Sequence, residues 1–67
     1  MSEILTIDEI AALLKMPRGS VYSQTRSRHR QRYGDLAIPF FKINGSIRFR
    51  RSDVEAWIER LATQEAS

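Results

Sequence analysis

Arginine and lysine are concentrated in the middle of the chain, where they could bind a polyanion. Residues 15–51 hold ten bases and a single acid, whereas residues 1–14 and residues 52–67 each carry a net charge of −3. Nine of the eleven bases are arginines, whose planar guanidinium groups make forked contacts with phosphate and with guanine. A surface that neutralises phosphates releases their counterions. The charge pattern therefore favours nucleic-acid binding over a merely solvated basic face.

Side chains that could support catalysis or metal binding are sparse. The chain has no cysteine, and its single histidine, His29, cannot form a zinc site alone. The serines at positions 20, 23 and 27 have no plausible base partner for nucleophilic catalysis. The acids near the start of the first and last predicted helices fit helix caps better than an acid–base pair. We therefore predict that the protein is not an enzyme and holds no metal or cofactor.

The length and composition predict one small globular domain. The chain has 67 residues, of which 42% are apolar and 28% are charged. We predict a single domain over residues 1–67, with an ordered core over about residues 4–61. No apolar run is long enough to span a membrane, and the acidic N-terminus does not resemble a signal peptide, which indicates a cytoplasmic protein.

A helix is predicted near the N-terminus. Thr6 and Glu9 have the spacing of a capping box, in which each side chain accepts a hydrogen bond from the backbone of the other. Apolar residues follow at the spacing of one helical face, namely Ile7, Ile10, Ala11 and Leu14. This helix should end near Lys15, because Pro17 disfavours helical geometry in the residue before it.

A second helix is predicted directly after this short turn, since proline is tolerated in a first helical turn. With Val21 directed inward, the opposite face is polar and basic and could lie in a DNA major groove. That face comprises Gly19, Ser23, Arg26, Ser27 and Arg30. The helix is predicted to end between residues 27 and 32, and residues 26–35 are predicted to form its fraying end and an exposed basic loop.

The segment 40–49 predicts a β-hairpin around the turn residues 44–46. A two-residue Asn-Gly turn would pair Phe41 with Arg48, whereas a three-residue loop would pair Phe41 with Phe49. The longer loop gathers the apolar side chains on one face, and register follows the buried face. We therefore predict the three-residue loop, although the Asn-Gly pair is a strong signal for the shorter turn.

A final helix is predicted from the segment Ser52-Asp53-Val54-Glu55, which again fits a capping box with Ser52 as N-cap. Its apolar stripe comprises Val54, Trp57, Ile58 and Leu61, and residues 62–67 should fray. The predicted order is helix, turn, helix, basic loop, hairpin and helix. A hairpin after a helix-turn-helix is a wing, so we predict a small α+β winged helix-turn-helix with about three helices and a two-stranded β-hairpin.

Four sequence motifs occur along the chain in a characteristic order. They are LTIDEIA at residues 5–11, PRGSVY at 17–22, IPFFKINGSIRF at 38–49 and SDVEAWI at 52–58. Together they resemble the MerR-like helix-turn-helix 17 family, the DNA-binding domains of phage-type excisionases and AlpA-like prophage regulators. The resemblance covers about residues 4–61. The chain departs from the family at Gln24-Thr25, where members usually carry an aromatic or aliphatic pair, and in a longer connection to the wing.

The resemblance implies a winged helix that binds double-stranded DNA without catalysis, with the second helix in the major groove and the wing in the minor groove. It implies an excisionase-like role in the recombination of a mobile element, and transcriptional regulation of a prophage or mobile element is the alternative. So small a protein is expected to act with an integrase or with further copies of itself on DNA. An alternative of another class is a protein-interaction adaptor that uses the basic face.

The candidate DNA contacts lie on the second helix and the wing. Ser23, Arg26 and Ser27 are the candidates for base edges, since an arginine can fork onto a guanine. Gly19 and Ser20 offer backbone N–H groups that suit a phosphate. The other candidates are Arg18, at a position that approaches DNA in the family, Tyr22, Arg30, Lys42, Asn44, Ser46, Arg48 and Arg50.

Overall fold

The computed structural model describes residues 3–66, which form four helices and a three-stranded antiparallel sheet. The helices are α1 (Ile7–Leu14), α2 (Arg18–Gln24), α3 (Ser27–Tyr33) and α4 (Arg51–Ala66), and the strands are β1 (Ile4–Leu5), β2 (Phe41–Ile43) and β3 (Ser46–Arg50). A 3-10 turn, Gly34–Leu36, follows α3. The predicted α+β winged helix-turn-helix is confirmed, with one helix and one strand more than the sequence predicted.

The capping box predicted at the start of α1 is present. The Thr6 hydroxyl oxygen accepts a hydrogen bond from the Glu9 N–H at 3.2 Å, and the Glu9 carboxylate accepts one from the Thr6 N–H at 2.9 Å. After Leu14, Lys15 adopts a left-handed backbone conformation with φ 56° and caps the helix. Pro17 then occupies the N-cap position of α2. The predicted short turn between the first two helices is therefore confirmed.

The long second helix and the basic loop predicted after it are wrong. α2 ends at Gln24, and Thr25 is buried, with its hydroxyl donating to the Tyr22 carbonyl oxygen at 2.7 Å. Arg26 is extended, with ψ 149°, and the separate helix α3 begins at Ser27. A threonine hydroxyl that bonds to the preceding turn competes with the helical backbone pattern. This local hydrogen bond accompanies the end of α2 and the bend into α3.

The strand β3 lies at the centre of the sheet, between β1 and β2. The three-residue loop predicted for the hairpin is wrong, because Phe41 pairs with Arg48 and not with Phe49. The turn has two residues, Asn44 and Gly45, with φ values of 50° and 80°. Positive φ at both central residues is what a type I′ turn requires. The Asn-Gly signal therefore outweighs the pattern of apolar residues.

A three-residue loop would require Phe41 and Ile43 to share the buried face of Phe49. Phe49 instead pairs with Leu5 of β1, and both of these side chains are buried. Ile43 remains 47% exposed. A strand of only two residues shows no alternation in the sequence, so β1 could not be predicted from periodicity.

The hydrophobic core lies where α1, α2 and α4 pack against the sheet. Its buried apolar residues are Leu5, Ile10, Ala11, Val21, Ile38, Phe49, Val54 and Trp57. The Trp57 indole N–H donates to the Leu36 carbonyl oxygen at 2.7 Å, which joins α4 to the 3-10 turn. The helix-turn-helix and the hairpin are thus held on one shared core.

The start of α4 differs from the predicted cap. The helix begins at Arg51, so Ser52 lies inside it and is not its N-cap. The Arg51 N–H donates to the Glu3 carbonyl oxygen at 2.9 Å, and its guanidinium pairs with the Glu3 carboxylate at 2.8 Å. The hydrogen bond to Glu3 and the charge of Glu3 raise the pKa of Arg51. These contacts anchor the first turn of α4 to the segment before β1.

The apolar stripe and the end of α4 are partly as predicted. Val54 and Trp57 are buried and Leu61 packs against the core, whereas Ile58 is 38% exposed. The helix continues to Ala66, beyond the predicted ordered core, and the fraying of residues 62–67 stays a prediction; Ser67 lies outside the described residues. No helix within the described residues has the length and apolar character needed to span a membrane.

Gly45→Ala is expected to destabilise the protein by about 1 kcal/mol, because an L-residue is strained in a left-handed backbone conformation. A Cβ at Gly45 meets no atom within 4 Å, so the backbone φ of 80° accounts for the whole cost. Gly19→Ala is the matched control: a Cβ there also meets nothing within 4 Å. Since Gly19 lies in α2, alanine should stabilise it by about 0.5–1 kcal/mol. Thermal unfolding that shifts both variants in the same direction would contradict this prediction.

Candidate nucleic-acid interface

Two adjoining grooves lie between the helices and the hairpin. The first, here called the wing groove, is bounded by the first turns of α1 and α2 and by the hairpin. Its charged and polar lining includes Asp8, Arg18, Lys42, Ser46 and Arg48. Bases from a helix and from the wing therefore face the same groove, together with one carboxylate.

The second groove, here called the arginine groove, lies between the α2–α3 region and β2. Its bases are Arg26, Arg28, Arg30 and Lys42, and none of its described lining residues is acidic. Tyr22 and Lys42 line both grooves, so the two form one continuous surface. Such a surface concentrates positive charge where a polyanion can approach.

Two arginines of the arginine groove lie over aromatic rings. The Arg26 Cζ atom is 5.5 Å from the centroid of the Tyr22 ring, and the Arg30 Cζ atom is 5.0 Å from that of Phe40. Cation–π contact restricts a guanidinium without removing its charge. The groove therefore presents positive groups that are already partly ordered.

Comparison with known protein families identifies the family to which the chain belongs. A family model described as a helix-turn-helix domain (HTH_17) matches residues 4–62. The chain belongs to this helix-turn-helix family. Comparisons with curated proteins and with solved structures give no significant match. Membership supports DNA binding, and members are typically not enzymes.

In this helix-turn-helix protein, the predicted base-edge residues do not lie on one helix. The prediction of a shared face is wrong, because Arg26 is an extended residue between the helices and Ser27 begins α3. Ser23 is exposed on α2, and its hydroxyl donates to the Gly19 carbonyl oxygen at 2.9 Å. Arg26 and Ser27 both line the arginine groove. Their contacts with bases stay a prediction.

The residues predicted to contact phosphate through their backbone N–H groups lie in the first turn of α2. The backbone N–H of Ser20 donates to the Pro17 carbonyl oxygen at 3.0 Å, so that donor already has a partner within the protein. Gly19 and Ser20 are both exposed. Tyr22 is 46% exposed and lies where the two grooves meet.

The predicted wing contacts fall into three places. Ser46 and the half-buried Arg48 line the wing groove, and the Arg48 Nη1 donates to the Ile47 carbonyl oxygen at 2.7 Å. Asn44 is exposed at the hairpin turn. Arg50 lies outside both grooves, at a hollow beside α4, where its Nε is 3.9 Å from a carboxylate oxygen of Asp53.

The charged or aromatic lining residues of this surface that were not among the predicted contacts are Asp8, Arg28 and Phe40. In one continuous second helix, Arg28 would lie beside the inward face that contains Val21, whereas the separate helix α3 brings it to the arginine groove. Arginines at every second position from 26 to 32 fall alternately on two opposite sides of a helix of 3.6 residues per turn. No sequence signal distinguishes those that face the groove. In the sequence, the capping motif already accounts for Asp8 and the hairpin pattern already accounts for Phe40, so neither residue is indicated as a DNA contact.

Proposed function

We propose that this helix-turn-helix protein is a cytoplasmic, sequence-specific, double-stranded DNA-binding protein. In this proposal α2 enters the major groove and the hairpin reaches the neighbouring minor groove. One observation carries it: the wing groove and the arginine groove form a single basic surface joined by Tyr22 and Lys42. A helix fits the width of a major groove, and basic side chains are attracted to a narrow minor groove.

Within this class we propose an excisionase-like role, with regulation of transcription in a prophage or mobile element as the alternative. The longest dimension of the protein is 38 Å, which matches about 11 base pairs at about 3.4 Å each. One copy therefore covers about one turn of the duplex. A footprint of this size supports action beside further copies or together with an integrase.

An excision assay separates the two roles. If a neighbouring gene encodes an integrase, the protein is added to that integrase and to a plasmid that carries both ends of the corresponding element. An excisionase raises the yield of excised circle in proportion to occupied sites, whereas a regulator leaves that yield unchanged and alters transcription from a nearby promoter.

Duplex binding itself is tested by a mobility shift. The proposed function predicts a shift of random duplex DNA at low salt and of a selected site at physiological salt. An adaptor that docks on an acidic protein would shift neither duplex at physiological salt. The selected site is obtained by enrichment from a pool of randomised duplexes.

Arg26→Ala and Arg48→Ala are expected to act differently. If Arg26 forks onto a guanine, its loss should reduce the preference for the selected site over a scrambled duplex by about tenfold. Arg48 lies on the wing, and its loss should weaken both duplexes about equally. Titrations of both variants against both duplexes measure this. The same pattern of loss for the two variants would contradict the division between base contact and backbone contact.

A further inference from the structure

The wing groove contains a carboxylate where a phosphate-binding surface would be expected to have none. An oxygen of Asp8, Oδ1, lies 3.2 Å from the Nε of Arg18, and the two side chains are 70% and 69% exposed. Asp8 belongs to the first turn of α1, and Arg18 is the first residue of α2. The ion pair therefore joins the two helices of the helix-turn-helix at their solvent-facing ends.

Stability is a poor explanation for this pair. Exposed ion pairs contribute little to folding, because water and salt screen them. Asp8 does suit the positive end of the α1 dipole, but that role needs no partner on α2. A negative charge on a DNA-facing surface also repels phosphates, which opposes binding by charge alone.

The atoms in contact indicate a different role. The carboxylate meets Arg18 at Nε, on the stem side of the guanidinium. The outer edge of a guanidinium carries the N–H groups of both Nη atoms, which can fork onto the O6 and N7 atoms of a guanine. A long side chain that is oriented before binding loses less rotamer freedom on binding. Asp8 thus favours one orientation of the Arg18 side chain at the N-terminus of the recognition helix, α2.

We propose that Asp8 is a positioning residue that sets sequence specificity, because it orients Arg18 toward a guanine and repels the phosphates of unmatched DNA. This inference rests on the proposed function and adds a residue to it. The attraction within the pair favours one arginine geometry, and the repulsion weakens binding modes that lack a compensating base contact.

The test is Asp8→Asn, which keeps the shape of the side chain and removes its charge. We expect random duplex DNA to bind about two- to fivefold more tightly, in line with the size of exposed charge interactions. We expect the preference for the selected site to fall by a similar factor of about two to five, because Asp8→Asn weakens the orientation of Arg18 but leaves its guanidinium able to reach the guanine. Selection from a pool of randomised duplexes should show that the preference at one guanine position weakens.

The matched control is Asp53→Asn. Asp53 is also an aspartate in the first turn of a helix and is also near an arginine, Arg50, but it lies outside the wing groove. Its removal should leave the selected sequence unchanged. Asp8→Glu, which retains the charge, should keep a preference at the same guanine position. Circular dichroism of each variant confirms that the fold is retained.

The variant Arg18→Gln shows whether Asp8 acts through Arg18. In that background Asp8→Asn should no longer change the sequence preference, although it should still raise affinity for random duplex. An unchanged selected sequence in Asp8→Asn would overturn the inference while leaving the proposed function in place. A wild-type protein that selects no sequence would overturn the proposed function and the inference with it.

Discussion

Phe49→Ala is expected to unfold the protein. The side chain is fully buried at the centre of the sheet, where β3 meets both β1 and β2. Truncation of a buried phenylalanine costs about 3–5 kcal/mol. Proteins are stable by about 0.05–0.15 kcal/mol per residue, which gives about 3–10 kcal/mol for 67 residues. A domain this small lies toward the lower end, because it buries a smaller share of its surface on folding, so the loss is comparable to the whole stability. Urea unfolding followed by circular dichroism should show a cooperative transition for the wild type and little folded variant at 25 °C.

Phe41→Ala is the matched control, because it removes the same atoms from the neighbouring strand. Phe41 lies opposite Arg48 at the edge of the sheet and is only partly buried. Its truncation should cost about 1 kcal/mol and leave the protein folded. Equal losses for the two variants would mean that both rings share one buried face, as a three-residue hairpin loop requires. The pair therefore tests the register together with the core.

The elements that follow local rules could be predicted from the sequence. The capping box at Thr6 and Glu9 and the turn before Pro17 depend on residues within a few positions of each other. The apolar stripe of α4 was correct at Val54 and Trp57 for the same reason. Local spacing determines these features, and no distant part of the chain alters them.

The features that depend on distant contacts could not be predicted. The face that Phe49 buries is completed by Leu5, which lies 44 positions earlier in a strand of two residues. The start of α4 depends on the contact between Arg51 and Glu3. The break between α2 and α3 occurs at Thr25, whose side chain the surrounding fold buries. In each case the deciding partner or environment lies outside the local sequence pattern.

The candidate site shows the same division. The charge distribution located the basic surface, and Arg18, Arg26, Arg30, Lys42 and Arg48 all line its two grooves. Placing Arg26 and Arg30 on the same recognition helix as Arg18 requires that helix to continue through residue 25, which it does not. Composition thus predicts that a polyanion binds, whereas the geometry of contact needs the bend between the helices.

Removing two arginines from the arginine groove is expected to weaken DNA binding strongly. Arg28 and Arg30 line this groove, and Arg30 lies over the Phe40 ring. Each phosphate contact contributes about 0.9 to the slope of log affinity against log salt, so the double variant Arg28→Gln/Arg30→Gln should lose about 1.8 from that slope. Taking 1 M salt as the reference at which these contacts contribute nothing, this slope corresponds at 0.15 M salt to a loss of about 30-fold in affinity for any duplex sequence. Titrations between about 0.05 and 0.2 M salt measure both quantities.

The control Lys15→Gln/Arg32→Gln removes the same charge from residues that do not line either groove. Long-range attraction by net charge is screened over about 10 Å at 0.1 M salt. The loss of two charges should therefore lower the DNA affinity of both double variants similarly and only slightly through this effect. Contact with phosphate, in contrast, depends on position. If the two double variants lose equal affinity and equal salt slope, binding depends on total charge and the arginine groove does not contact the backbone. If only Arg28→Gln/Arg30→Gln loses slope, α3, which the sequence predicted as a fraying end and a loop, holds one strand of the duplex.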